Sequence, residues 1–355
     1  MQIDFHHGVT YVCARLAGFD HLDAQIVAHC AQYVDDSTQA GLIRFDNGAM
    51  FDRMSSAHKL LDYRNFKELA NYKVWIPFHF LPGNGGLPAG QDPPGTFIEK
   101  LICRPNSPVA QGMVAECIEQ NHRSYSLHRL GITLHVFADT WAHQGFAGVS
   151  HAVNGARNLV DGDGKLDQNL MNRLSNFFIG GALPLGHGTV LGNPDRPYLR
   201  WGYTNGRGEK IQRDNPRDFL EAADEMCKAM QRYLTGDPKA PAPGLPEADR
   251  AKIAHLFETI RGEGDSRHQQ WLAHIAEGHF SFGPAEVKYI AKGLGSWKQQ
   301  ALQAEAESEL RKEARLLPYS PDFLASNWKL FHDALKAHHF YIVHDLLPQY
   351  GICVA

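Results

Sequence analysis

Between Leu127 and Phe146 the chain sets His128, His135, Asp139 and His143 at intervals that a helix brings onto one face. At roughly 100° per residue, four-residue steps drift about 40°, and His128 lies about 20° off His135. Leu127, Leu130, Leu134 and Phe137 interleave with these groups, so the polar stripe is sunk among apolar side chains. Burying it is costly unless something pairs or coordinates it. Imidazole nitrogens and a carboxylate oxygen are the donors zinc takes, and catalytic zinc keeps a position open for water. The plainer reading is a core helix of hydrogen-bonded histidines. Three donors at i, i+4 and i+8 favour metal over that reading.

Further candidate ligands come in separate segments. Asp4, His6 and His7 crowd the start of the chain. A helix then follows from Val9 to Ala17, ended by Gly18, and Asp20 caps a second. On it, Ala24, Val27, Ala28, Ala31 and Val34 form a packing face, and His29, Gln32, Tyr33 and Asp36 a polar stripe. Asp35 and Asp36 sit at its C-terminal end, where the helix dipole disfavours carboxylates by about 0.3 kcal/mol or more. A nearby cation would remove that penalty, although two ordinary surface acids are the simpler account. The stripe with His29 points to Asp36. His79, within Trp75-Ile76-Pro77-Phe78-His79-Phe80-Leu81-Pro82, reads as a ligand held in a stiff extended segment, or as a packed core residue. Gly186-His187-Gly188 and Pro194-Asp195-Arg196-Pro197 place one His and one Asp in loops that glycine frees for close approach.

Other polar motifs read as structure. Val160 to Asp167 resembles part of a calcium loop, but Lys165 and Asn172 stand where that loop needs acidic ligands, so an Asp/Gly turn is expected. His332-Asp333, His338-His339 and His344-Asp345 fall late on an amphipathic helix and read as surface or capping residues. Trp75, Trp141, Phe146 and Trp201 are pocket-wall candidates whose alternative is core packing.

These groups need a scaffold, and 355 residues provide roughly two domains' worth of chain. A net charge of -4 gives no basic footprint, so a stable charge-driven nucleic-acid complex is not expected. Twenty His against 35 Lys plus Arg point to metal chemistry. The six dispersed cysteines form no CxxC pair and read as free thiols in a reducing compartment. No secretory signal or membrane span is legible, so cytoplasmic synthesis is expected, with signal-independent export left open. The Pro/Gly stretch 82–95 reads as a loop, with a helix before it through Ser56, His58, Leu60 and Leu61. The sharpest boundary is Thr235 to Pro246. It divides a metal-binding helical domain, 1–235, from a linker, 236–246, and a helical C-terminal region, 247–355, packed on or extending the first. Helices are expected over 247–276, 284–316 and 321–346, and no strand-like alternation of any length appears. The expected fold is all-α.

In the order of these segments, residues 1–235 resemble the zinc-dependent phospholipase C / S1-P1 nuclease superfamily, and most closely an uncharacterised bacterial branch of it. The carriers are Asp4-Phe5-His6-His7, Ala31 to Asp36, Phe78-His79-Phe80, Leu134 to Asp139 with Ala142-His143, Gly186-His187-Gly188 and Pro194 to Pro197. The resemblance implies a multi-helix bundle around two zinc ions, or three, with a helical C-terminal extension. It implies that His6 or His7 is the N-terminal ligand and Asp35 the bridging carboxylate. His79, the His135/Asp139 pair and His143 follow as ligands. It also implies hydrolysis of phosphodiesters in phospholipids or nucleotides. The best-known members bind one zinc through an N-terminal Trp; this chain has Met1, with Asp4 as a candidate substitute.

The leading expectation is therefore a zinc-dependent, phospholipase C-like phosphodiester hydrolase using a metal-activated water. Asp35 or Asp36 would be its catalytic carboxylate. His6, His7, Asp35, Asp36, His79, His135, Asp139, His143 and His187 are its candidate ligands. A P1-type nuclease and an HD-type phosphohydrolase are the alternatives of related chemistry. A metal-stabilised binding or effector module without catalysis is the alternative of another class.

Overall fold

The computed structural model describes residues 1–57, 68–165, 185–303 and 316–354. A π-helical turn, Asp4–Val9, runs directly into α1, Thr10–Ala17. Gly18, at φ 111°, closes α1 in a conformation that a side chain would strain. The Asp20 carboxylate then accepts from the Asp23 N–H and caps α2, His21–Asp36. β1, Gly41–Arg44, and β2, Met50–Arg53, pair antiparallel around the Asp46-Asn47-Gly48 turn. α3, Glu68–Phe78, ends beside Pro77, so His79 leaves a helix end and not the extended segment expected for it. α4, Ile98–Leu101, α5, Pro108–Glu119, and α6, Ser126–Ala142, follow. β3, Ala156–Asp161, β4, Arg200–Asn205, and β5, Lys210–Asp214, form a three-stranded antiparallel sheet in that order. α7, Asn215–Thr235, α8, Glu247–Thr259, α9, Gly264–Ala276, α10, Trp297–Leu302, and α11, Asn327–Phe340, complete the α-helices among the described residues.

The all-α bundle expected from sequence is not what forms. The structure is 53% helical and, among the described residues, carries two small antiparallel sheets with five strands between them, a mixed architecture. Its strands are four to six residues long and leave little pattern to read. Lys210-Ile211-Gln212-Arg213-Asp214, for example, has one aliphatic residue, and β4 beside it, with Trp201, Gly202 and Tyr203 buried, decides its pairing. In its described part, residues 284–303, the long helix expected over 284–316 does not form as one element. Gly278, Gly283, Gly293 and Gly295 take positive φ, residues 284–291 lack regular structure, and α10 spans six residues. His58, Leu60, Leu61, Asp167 and Asn172 lie outside the described residues. Asp161 Oδ1 accepts from the Asp163 and Lys165 N–H groups, which uses that carboxylate in its own turn.

α6 is the central element, buried from His128 to Ala142. α2 lies against it so closely that a Cβ on Gly131 would sit 2.4 Å from the Val27 carbonyl oxygen and 2.6 Å from Cys30 Cβ. Arg213 donates to the Trp141 and Ala142 carbonyls at 2.9 and 3.2 Å, satisfying the open end of the helix. The apolar core continues past the Pro/Gly stretch: Phe5 packs on Phe219 and on Phe257, with ring centroids 5.3 and 5.9 Å apart. That stretch is itself tied to α7. Gly244 N–H donates to Gln231 Oε1, and Leu245 N–H to Asp224 Oδ1, each at 2.9 Å.

Gly131→Ala tests the α2–α6 contact. Overpacking there is expected to cost about 2 kcal/mol or more, read as a lowered thermal midpoint. An unchanged midpoint would mean that the two helices separate at no cost.

Candidate metal centre

Three donor groups gather around the C-terminal half of α6. They are His6–Asp35–His135, His79–His135–Asp139 and His143–His187–Asp195, and within each the donor atoms lie within 4.8 Å of one another. α6 supplies His135 and Asp139 one turn apart, and His143 caps its end. The π-helical turn delivers His6, the last turn of α2 delivers Asp35, and the chain leaving α3 delivers His79. Loops bring His187 and Asp195.

Asp139 is the hub, 1% exposed. Its Oδ1 lies 2.6 Å from the Met1 nitrogen and 3.2 Å from His6 Nε2. Its Oδ2 lies 3.3 Å from His135 Nε2, 3.5 Å from His79 Nδ1 and 3.7 Å from His143 Nδ1. Asp195 continues the cluster outward, its Oδ1 3.2 Å from the Met1 nitrogen and its Oδ2 3.8 Å from His187 Nε2.

The backbone fixes which nitrogen of each ring faces this cluster. His135 Nδ1–H donates to the Ala31 carbonyl at 2.7 Å, and His143 Nδ1–H to the His79 carbonyl at 2.7 Å. His187 Nδ1–H donates to the Leu191 carbonyl at 2.8 Å, and His79 Nε2–H to the Ser56 carbonyl at 2.9 Å. A carbonyl only accepts, so each bonded nitrogen carries the proton. In the neutral ring the other nitrogen therefore presents a lone pair inward. His135 Nε2 and His79 Nδ1 face each other in this way at 3.2 Å. Two lone pairs so close repel unless a proton or a cation joins them. His6 has no hydrogen bond on either ring nitrogen, though 1% exposed.

The electrostatics match. Burial pushes the Asp139 carboxyl upward, but the charged Met1 nitrogen and His135, with His143 and His6 where they carry a proton, outweigh it and hold the group well below the usual carboxylate range. Burial holds His143 down at about 3, and keeps His6 well below the ordinary histidine value. His135 is raised: burial opposes its charge, and Asp139 and Asp35 more than offset that. Burial also raises Asp35, whose carboxylate is 35% exposed and forms the open side of the cluster.

Of the nine ligands expected from sequence, His6, Asp35, His79, His135, Asp139, His143 and His187 meet here. His7 and Asp36 point elsewhere. His7 Nδ1 pairs with His268 Nε2 at 2.8 Å, and Asp36 Oδ2 accepts from the Tyr289 hydroxyl at 2.6 Å. Neighbours on a helical turn diverge by about 100°, so only one of each pair can face the cluster. His128 shares the α6 face but sits roughly 10 Å further along the axis, at 1.5 Å per residue, and bonds Asn327. Asp4 pairs with Arg267 and does not substitute for the terminal contact; the Met1 nitrogen is itself in the cluster. Asp195, read from sequence as a loop acid free to approach a ligand but not placed in the expected ligand set, is a full member, and nothing in the sequence signalled Met1. Trp141, Phe146 and Trp201 are core, each 1% exposed, whereas half-buried Trp75 lies 5.1 Å from the His79 ring.

A family of unknown function, DUF6765, matches residues 1–346. The chain belongs to that family. No curated protein and no solved structure matches it. For this DUF6765 chain the site itself must carry the functional argument. Its donors, nitrogen from imidazole and oxygen from carboxylate, could bind a metal ion.

Nitrogen-15 long-range spectra of histidine-labelled protein are expected to show His79 protonated at Nε2, and His135, His143 and His187 at Nδ1. A His79 ring protonated at Nδ1 would contradict the lone-pair arrangement.

Proposed function

We propose that this centre binds zinc and hydrolyses phosphodiesters, in the manner of a phospholipase C, with nucleotides as the sibling substrate class. The observation that carries the reading is the set of ring nitrogens that backbone carbonyls turn inward, those of His135 and His79 toward the buried, ionised Asp139 and that of His143 toward Asp195. Zinc is favoured by this mixed nitrogen and oxygen donor set; manganese, iron and nickel are its competitors. When bound, such an ion would polarise a phosphoryl oxygen and lower the pKa of a water molecule.

The chain's own groups have separable tasks. Asp139 supplies fixed negative charge that draws cations into an otherwise apolar interior. The neutral rings of His6 and His143 add donors without adding repulsion. Asp35 is the carboxylate that solvent and a substrate reach, which places it to take a proton from the attacking water. Its exposure favours catalysis over a closed, purely structural metal module. The HD-type reading loses support, because His332 packs against Trp328 and His338 bonds the Pro77 carbonyl, both apart from the cluster.

Protein purified without chelator is expected to hold about two to three zinc ions. His135→Ala and Asp139→Ala should lose them, whereas His7→Ala should keep them. The loaded protein is expected to cleave bis(p-nitrophenyl) phosphate, with kcat reduced about 10²- to 10⁴-fold in Asp35→Asn. A panel of phospholipids and oligonucleotides then separates the two substrate classes. Less than one tightly held ion in zinc-supplemented wild type would end the proposal.

A further inference from the structure

Arg267, in α9 and fully buried, joins the segments that carry the outer ligands. Its Nε donates to Asp4 Oδ2 at 2.6 Å, and its Nη2 to Asp4 Oδ1 at 3.0 Å and Gln2 Oε1 at 2.9 Å. Nη2 also reaches the Asp195 carbonyl at 3.4 Å, while Nη1 donates to the Gly262 carbonyl at 2.6 Å. Asp4 opens the turn that presents His6, and Asp195 is the carboxylate of the outermost donor group. The inner group is held differently. His135 and His79 are anchored by the Ala31 and Ser56 carbonyls, and Asp139 sits within α6.

Resting on the metal reading above, we infer that Arg267 is a positioning residue for the outer donor groups, His6–Asp35–His135 and His143–His187–Asp195. The inner group, His79–His135–Asp139, does not depend on it. The planar guanidinium grips both Asp4 oxygens and still has donors for Gln2, Gly262 and Asp195, a fork that an ammonium cannot copy. Through it the C-terminal helices set the spacing between two segments more than 180 residues apart in sequence, Asp4 and Asp195. Partners that orient ligands from behind in this way typically change metal affinity by about 10- to 100-fold.

The test is cobalt(II) titration of the full-length chain, followed by visible absorption and by cobalt bound per chain, with circular dichroism to confirm folding. Wild type is expected to take up two or more ions. Arg267→Lys should keep one ion at wild-type affinity and bind the rest about 10- to 100-fold more weakly. Adding His79→Ala to Arg267→Lys should abolish the remaining tight cobalt spectrum. If Arg267→Lys fails to fold, Gln2→Ala decides, because it removes one bond at a half-buried residue; weakening confined to the outer ions, up to about 10-fold, is then expected. A folded variant that binds like wild type, or that loses every ion equally, overturns the inference and leaves the metal reading standing. Wild type that takes up no cobalt overturns both.

Discussion

An ionised carboxylate with no access to water is what the rest of this structure has to accommodate. Removing such a charge from solvent costs several kcal/mol even after relaxation, and breaking a buried pair costs about 3–5 kcal/mol. Asp139 has the Met1 nitrogen at 2.6 Å to offset that cost, and His6, His79, His135 and His143 are ranged around its two oxygens. Each ring then needs its own orientation, and the backbone supplies it for three of these neighbours and for His187 in the outer group. The carbonyls of Ala31, Ser56, His79 and Leu191 hold the rings of His135, His79, His143 and His187. The centre is thus an arrangement of main chain as much as of side chains.

The surrounding helices follow from that need. α2 must lie close enough for Ala31 to reach His135, and Gly131 permits the approach by leaving no Cβ where the Val27 carbonyl sits. Arg213 satisfies the carbonyls at the lower end of α6, so His143 can leave the helix and turn toward the cluster. The C-terminal helices are part of the same design. Phe257 and Trp271 complete the core under Phe5, and Arg267 pairs with Asp4 at its edge.

Histidine content alone overstates the site. His7 and His268 bond each other, His128 bonds Asn327, His332 packs on Trp328, and His338 bonds a carbonyl at the end of α3. Burial lowers the basicity of all five, and they remain neutral polar packing groups. What sets the cluster histidines apart is a shared carboxylate and a carbonyl behind each of four rings. That combination underlies the proposed hydrolase, and composition cannot express it.

The helical periodicity of residues 127–146 was enough by itself to put His135, Asp139 and His143 on one buried face, because 3.6 residues per turn leaves no freedom there. Local chemistry also marked Gly18 and Asp20 as helix boundaries. Choices between neighbours were beyond it. His6 against His7 and Asp35 against Asp36 depend on the rotation of a helix about its axis, which is decided by what packs on it: His268 draws in one member, Tyr289 the other. The short strands, the helical path into His79 and the recruitment of the Met1 nitrogen likewise have no local signature. They follow from pairing and charge between distant segments, which exist only once the chain has closed around Asp139.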